Sequence, residues 1–423
     1  MFKVRYKSHH DVGAVISASI KGEKAEKEDF IRVLNSKNES RQLGLYFHTP
    51  YCDKICSFCN MNRKQLDNDL EEYTAYLCSE IKKYGTYNFV KTSKVDVVFF
   101  GGGTPTIYRE EQLERILKSL KENFIFADNC EITFETTLHN LTIQKIEIFN
   151  KYGVNRISIG IQTFSDRGRK YLNRSYSKEY AIKRLKEIKE KFKGLICVDI
   201  IYNYPNQTNK EILEDVKILS DMAVSSASFY SLMVQKGSEI SKNKDDKDSF
   251  VYSLERDEEL HKLFYEKALK KNYKLLEFTK ITNKEKVDEY RYIRNNNAQK
   301  NLLPLGLGAG GKVAGISCYN FNKNMSFYSK ISEAQRKLSM ISGMMQFAEF
   351  DLNEFKKYCS SEFFHKALEK FRFLEKEGYI EINNNIVLYT SKGIFWGNSI
   401  SVEIIKILLE EYNKREEENL CQY

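Results

Sequence analysis

GLYFHTPYCDKICSFC, residues 44–59, runs from a short apolar stretch straight into three cysteines, Cys52, Cys56 and Cys59, spaced C-x3-C-x2-C. The apolar half reads as a strand over 44–48 and puts the cysteine loop just beyond its C-terminal end. Three thiolates closing on one small loop can hold three irons of a cubane, leaving the fourth iron without a protein ligand and open to chelate a substrate. A zinc site would want four ligands, commonly from two paired motifs. The nearest extra donors are His48 and Cys78. Three merely structural cysteines are the remaining alternative.

Outward from this loop, short apolar runs alternate with amphipathic charged segments. Strands are predicted at 95–100, 131–135, 156–161, 195–201 and 226–232. Helices are predicted near 70–84, 110–123, 142–150, 178–191 and 210–220. With 44–48 this makes six strands separated by helices, an α/β pattern that predicts a parallel sheet wound by right-handed crossovers. A flat doubly wound sheet and a partial barrel both satisfy it, and in either the ligands sit at the C-terminal strand ends. The next such end carries Phe99-Phe100-Gly101-Gly102-Gly103-Thr104-Pro105. Its glycines would let backbone approach a ligand, although a tight strand-to-helix turn explains them equally well. No Gly-Lys-Ser/Thr follows, so it is not a Walker loop.

Farther on, 241–250 is polar and reads as a loop, and 251–271 as a long helix. A glycine-dense segment occupies 305–315 (LGLGAGGKVAG). From about Ser332 the pattern is mostly helical: a helix, a short hairpin at 379–382 and 386–389, then a final helix, the order of a small winged-helix-like domain. The expected division is an N-terminal extension over 1–43, a core over 44–240, a core extension with the glycine-rich segment over 241–331, and an accessory domain over 332–423.

Composition narrows the class. The chain has 423 residues, 42% apolar and 30% charged, with no apolar stretch long enough to span a membrane. Its first residues are too charged for a signal peptide, so a cytoplasmic protein is expected. Nine cysteines is an odd number, unlike a secreted disulfide framework. The isolated ones, Cys78, Cys130, Cys197, Cys318, Cys359 and Cys421, read as mostly buried structural thiols. The formal charge of +9 comes from interspersed Lys and Glu rather than a basic stripe. Nucleic-acid binding is therefore not expected; a mild positive field suits an acidic electron donor or an anionic small substrate.

Taken together, these motifs resemble the radical SAM enzymes, and within them the branch of oxygen-independent coproporphyrinogen oxidase and its relatives. The resemblance rests on Tyr46-x-His48-x-Pro50-x-Cys52 leading into the cysteine loop, the Gly101–Pro105 turn and Glu135. It continues through Ser158-x-Gly160-x-Gln162-x-Phe164 with Asn173-Arg174, Asp199-x-x-Tyr202-x-x-Pro205-x-Gln207-Thr208, the run 229–237, and a C-terminal Phe373-Leu-x-x-x-Gly378-Tyr with Thr390-x-x-Gly393. It implies a partial (β/α)6 TIM-like barrel of the radical SAM type with a C-terminal, mainly helical, winged-helix-like accessory domain. It also implies a [4Fe–4S] cluster on Cys52, Cys56 and Cys59 and S-adenosylmethionine (SAM) beside it. Gly102, Gly103 and Thr104 would receive the amino group of the SAM methionine part. Glu135, Gln162, Arg174 and Asp199 would hold the rest: Arg174 suits a carboxylate, and Asp199 or Gln162 the ribose hydroxyls. Tyr46 would pack beside cluster and SAM. A flavodoxin or ferredoxin would donate the electron.

Three activities occur in the branch: oxidative decarboxylation of coproporphyrinogen, delivery of heme by a chaperone, and anaerobic heme degradation by a methyltransferase that opens the porphyrin ring. After Cys59 the decarboxylating pattern carries a further cysteine, whereas this chain reads Asn60-Met61-Asn62. The chaperone's Gly-x-Gly-Ala-His reads here Gly306-Leu-Gly308-Ala309-Gly310-Gly311. That run, the N-terminal extension and the full length look most like the heme-degrading methyltransferases, with heme or a related tetrapyrrole as substrate. Candidate axial ligands to heme are His9, His10, His139, His261, His365 and Cys318. The pair His9-His10 otherwise reads as part of a solvated, disordered start.

Overall fold

The computed structural model describes residues 2, 4–66, 70–242 and 250–420. Most of the expected 241–250 loop, and Cys421, lie outside the described residues. Six strands, β1 (Gln42–Thr49), β2 (Lys94–Gly102), β3 (Phe126–Thr136), β4 (Arg156–Gln162), β5 (Leu195–Tyr202) and β6 (Ser226–Ser231), pair in parallel in that order. Between them run α1 (Glu71–Gly85), α2 (Glu110–Asn123), α3 (Ile143–Tyr152), α4 (Lys178–Lys191) and α5 (Asn209–Asp221). The starts of α3, α4 and α5 are set by Thr142, Ser177 and Thr208, whose side chains accept from the amides of Lys145, Tyr180 and Glu211.

The strand order decides between the two open architectures. A doubly wound sheet reverses direction at a switch point; here each crossover steps the same way, which puts the helices on one face. Helices α1 to α4 accordingly touch their neighbours in turn. The sheet therefore has a helix-covered outer face and an inner one, as in a partial barrel. Phe47, Phe100 and Phe134 stack across β1–β3 at 4.4 and 4.0 Å, and Phe149 of α3 closes the row at 4.5 Å. Each such buried ring contributes about 2–3 kcal/mol. The alternate residues, Tyr46, Phe99, Glu135, Ser158 and Asp199, belong to the inner face. That lining is more polar than the aliphatic layers usual in a closed barrel. It includes Arg156, wholly buried and bonded to Asp288 through Nε (3.1 and 3.2 Å) and Nη2 (2.8 Å).

After α6 (Leu254–Leu269), β7 (Tyr273–Glu277) and β8 (Lys280–Asn283) extend the β6 edge antiparallel. The other edge is where the expectation falls short. A seventh parallel strand, β9 (Leu302–Leu305), lies beside β1. The glycine-dense run is the turn out of β9 and the strand β10 (Gly310–Val313), followed by β11 (Ile316–Asn322) and β12 (Met325–Lys330) in an antiparallel meander. All belong to one sheet of 13 strands. The C-terminal elements run helix Glu333–Met345, strand Glu349–Asp351, helices Leu352–Lys356 and Ser361–Lys376, strands Ile380–Asn383 and Ile386–Tyr389, and the last helix Ser391–Leu420. The three strands form a separate sheet, in the winged-helix order.

The start of the chain is not a solvated tail. Ser8 caps a helix, His9–Ser19, that buries Val12 and Ile16 and packs on the last helix. Phe2 stacks on Trp396 at 5.2 Å, and Arg5 reaches the buried Asp257 at 2.5 Å. No helix among the described residues is long and apolar enough to cross a membrane.

Candidate functional site

Beyond the C-terminal ends of β1–β5 lies a partly open cavity of about 220 Å³. Cys52, Cys56, Cys59, Gly102, Gly103, Thr104, Glu135, Gln162, Arg174 and Asp199 all line it. Of the residues expected to hold the cluster and SAM, only Tyr46 is missing. It sits one layer deeper, between Phe99 (6.2 Å) and Tyr292 (6.0 Å), and reaches the cysteine region through His48. Its hydroxyl is 3.0 Å from His48 Nδ1, and His48 Nε2 donates to the carbonyl of Asn62 at 2.9 Å. Burial lowers the His48 pKa, so the ring is neutral, accepting from Tyr46 and donating to Asn62. Both nitrogens are thereby engaged, which removes His48 as a zinc ligand.

The cysteine loop is pinned from three sides. Asn173 Nδ2 donates to the carbonyl of Ile55 (2.9 Å), and Ser57 Oγ to that of Tyr171 (2.9 Å). On the third side Asp53 accepts from His139 Nε2 at 2.5 Å and from Asn140 Nδ2 at 3.2 Å. Burial alone would raise the Asp53 pKa; the imidazole and amide bring it down to about 2. His139, a candidate axial ligand in the sequence, is held here by Asp53 and clamps the loop. An acid inside the C-x3-C spacer and a His-Asn pair just past β3 were the signals for this contact.

The glycine turn has two purposes. The amides of Gly103 and Thr104 donate to the carbonyls of Thr49 (2.7 Å) and Tyr51 (2.8 Å), tying the turn to the approach of the cysteine loop. A Cβ on Gly103 would fall 2.4 Å from the Tyr51 oxygen. The amide of Gly102 goes to Glu135 Oε2 at 3.2 Å. With these amides occupied, the turn has carbonyls and the Thr104 hydroxyl to offer, which suits a donor such as an ammonium group. Thr104 Oγ1 also reaches Cys52 Sγ at 3.6 Å.

Charge is concentrated opposite the thiols. Burial, and then the nearby Asp199, push Glu135 up to about 7. Asp199 accepts from Ser158 Oγ at 3.1 Å. Arg174 Nη1 lies 2.9 Å from Cys56 Sγ, its Nη2 donates to the Gly160 carbonyl, and its Nε is buried with no partner. Gln162 holds a left-handed backbone (φ 73°) beside this cluster, a conformation that costs a non-glycine residue on the order of 1 kcal/mol.

The donor set fits an iron–sulfur cubane. All three thiols are free and open on one cavity. Among the described residues no three His, Cys, Asp or Glu groups converge as they would around one metal ion. A cubane does not require that, because each cysteine binds a different iron. The orphaned Arg174 Nε and the Glu135–Asp199 pair leave a cation and two acids to meet a ligand carrying both charge signs. The other axial candidates lie away from this cavity. His261 is buried against Tyr265 and Phe395, Cys318 lies in β11, His365 is on a helix of the C-terminal region, and His9 and His10 stack on the N-terminal helix.

Residues 46–219 match the family model described as the radical SAM superfamily. Among curated proteins the chain is 25% identical over 313 residues to anaerobilin synthase of Escherichia coli O157:H7, covering 73% of this chain and 69% of that one. It is 25% identical over 390 residues to the heme chaperone HemW of Lactococcus lactis, covering 87% and 98%. With the HemW of Buchnera aphidicola it shares 29% over 197 residues, about half of either chain (46% and 51%). Its fold is that of coproporphyrinogen III oxidase (HemN) from Escherichia coli, with a TM-score of 0.76 over 92% of this chain and 95% of that one at 19% identity. The C-x3-C-x2-C loop, the glycine turn and the charged pocket at the strand ends of this HemN-like fold all lie within residues 46–219, the segment that matches the radical SAM superfamily.

Proposed function

We propose that the protein is a radical SAM enzyme that methylates heme and opens it to a linear tetrapyrrole with release of iron, the activity that its resemblance to the heme-degrading methyltransferases implies; the similarity to an anaerobilin synthase supports this reading. When bound, the [4Fe–4S] cluster supplies one electron that reductively cleaves the sulfonium of SAM. Cys52, Cys56 and Cys59 hold the cluster, and Asn173 and the Asp53–His139 pair keep their loop against the strand ends. The carbonyl side of Gly102 and Gly103 and the Thr104 hydroxyl take the ammonium of SAM, and Arg174 its carboxylate. Asp199 and Gln162 take the ribose. A flavodoxin or ferredoxin delivers the electron.

The observation that carries the substrate is a contact between the two places where the sequence departs from its relatives. Asn62, in the segment that lacks the extra cysteine, donates from Nδ2 to the Tyr319 hydroxyl at 3.1 Å. Gly308, in the glycine run that lacks histidine, lies against it. A Cβ there would fall 2.5 Å from Asn62 Nδ2 and 3.1 Å from the His48 ring, at a backbone φ of +86°. The two departures therefore form one wall beside the cysteine loop and support a common change of substrate.

A carrier role is the second reading, favoured by the match spanning nearly all of the Lactococcus chaperone. Anaerobic incubation of the reconstituted protein with SAM, a low-potential reductant and heme separates them. Loss of the Soret band with formation of a methylated linear tetrapyrrole is expected. Heme that stays intact and bound would favour the carrier, and decarboxylation of coproporphyrinogen would favour the oxidase activity.

A further inference from the structure

The segment that follows the cysteines turns back on them. The amides of Lys64 and Leu66 donate to the carbonyls of Pro50 (2.9 Å) and Cys52 (2.8 Å). Lys64–Gln65 thereby lies as a short parallel bridge against Tyr51–Cys52. One residue before Arg63, the carbonyl of Asn62 accepts from His48 at 2.9 Å. Arg63 is thus fixed between two tethered neighbours. It lines the cysteine cavity, and its guanidinium donates from Nη2 to the carbonyl of Cys59 and from Nη1 to that of Met61 at 3.4 Å. Its Nε is buried with no partner. Among the described residues no carboxylate pairs with it.

Each thiol has its own polar neighbour. Thr104 Oγ1 reaches Cys52 Sγ at 3.6 Å, and Arg174 Nη1 reaches Cys56 Sγ at 2.9 Å. For Cys59 the neighbours are the Met61 amide and Arg63: burial raises that thiol's pKa, and these two pull it back. Thr104 is neutral, and in the reading above the Arg174 charge is met by the SAM carboxylate. Arg63 is then the cation at the cysteines that no acid offsets.

We propose that Arg63 is a positioning residue that sets the potential of the cluster, its uncompensated charge and free Nε favouring the reduced state held by Cys52, Cys56 and Cys59. Reduction adds one electron from the donor, so the net charge held by these thiolates becomes more negative by one. A fixed cation beside them stabilises the product more than the reactant, and hydrogen bonds to the sulfurs act in the same direction. Anchoring the loop would need only donors to two carbonyls. The unpaired charge and the unused Nε are what point past anchoring. The inference rests on the cluster reading and is independent of the substrate.

An anaerobic redox titration of the reconstituted protein without SAM, with the reduced cluster followed by its EPR signal, tests this apart from turnover. Arg63→Gln and Arg63→Met are expected to retain about four irons per chain. Both should be about tenfold harder to reduce at a given solution potential, a midpoint lower by about 59 mV. Arg63→Lys, which keeps the charge and loses the planar fork, should recover most of that shift. An Arg63→Gln midpoint equal to that of the wild type would overturn the proposal while leaving the cluster and SAM cleavage standing. A midpoint in Arg63→Lys as low as in Arg63→Gln would also overturn it, since charge would then not be the cause. Loss of iron from both neutral variants would show that the side chain serves the loop's fold alone, which overturns it as well. A wild type that binds no iron would instead sink the cluster reading, and this inference with it.

Discussion

Glu135 shows how closely chemistry and stability are tied at a single residue. Its carboxyl, buried beside Asp199, titrates near 7 instead of the usual 4.5. Between those values the folded cofactor-free chain keeps a proton that the unfolded chain has released. Its stability therefore falls as pH rises through this window. Glu135→Gln should flatten the pH dependence there and be more stable than wild type at pH 8 by about 2 kcal/mol. That is below the full conversion of about 1.4 kcal/mol per unit, because part of the carboxyl faces the open cavity. Urea unfolding at pH 5 and pH 8 checks it; parallel curves for the two proteins would contradict it. Gly103 is a steric case. Gly103→Ala must drive a methyl into the Tyr51 backbone and should cost about 3 kcal/mol. Gly13→Ala, on the N-terminal helix with nothing within 4 Å, should stabilise by about 0.5–1 kcal/mol. The same unfolding assay reads both. The residue types of the site were legible in the sequence because cysteine, glycine and charge recur at strand ends. Asp53–His139 was not, because its partners stand 86 residues apart.

At the scale of elements, the segments with strong periodicity fell where the sequence put them, and the misses have physical causes. β9 is four residues long and contains Pro304, which argues against an interior strand. It is tolerated because β10 meets β9 only at Leu302, leaving the ring on a side without ladder bonds. The N-terminal helix escaped notice because its tertiary anchor is remote. Arg5 finds Asp257, and the carboxylate is wholly buried. Removing one partner of such a pair leaves an uncompensated charge. Arg5→Met should cost about 3–5 kcal/mol, and adding Asp257→Leu should recover most of it. A double variant as unstable as Arg5→Met by urea midpoint would contradict this account.

For the whole molecule, the consecutive strand order is what gathers cysteines, glycines and acids from five strands at one end of the sheet. The alternation of strands and helices in the sequence could not choose between winding schemes, because right-handed crossovers are common to both. The mean inner-face polarity was equally hidden, since Arg156, Asp288 and Lys280 meet only once the sheet curves. The central claim is that Cys52, Cys56 and Cys59 carry a cubane able to cleave SAM. Its most direct measurement is iron and acid-labile sulfide content, with methionine release from SAM under a low-potential reductant, in anaerobically reconstituted wild type and Cys56→Ala. About four irons per chain and SAM-dependent methionine release are expected from the wild type, and loss of both from the variant. A Cys56→Ala protein that still assembles the cluster and releases methionine at the wild-type rate would contradict the account.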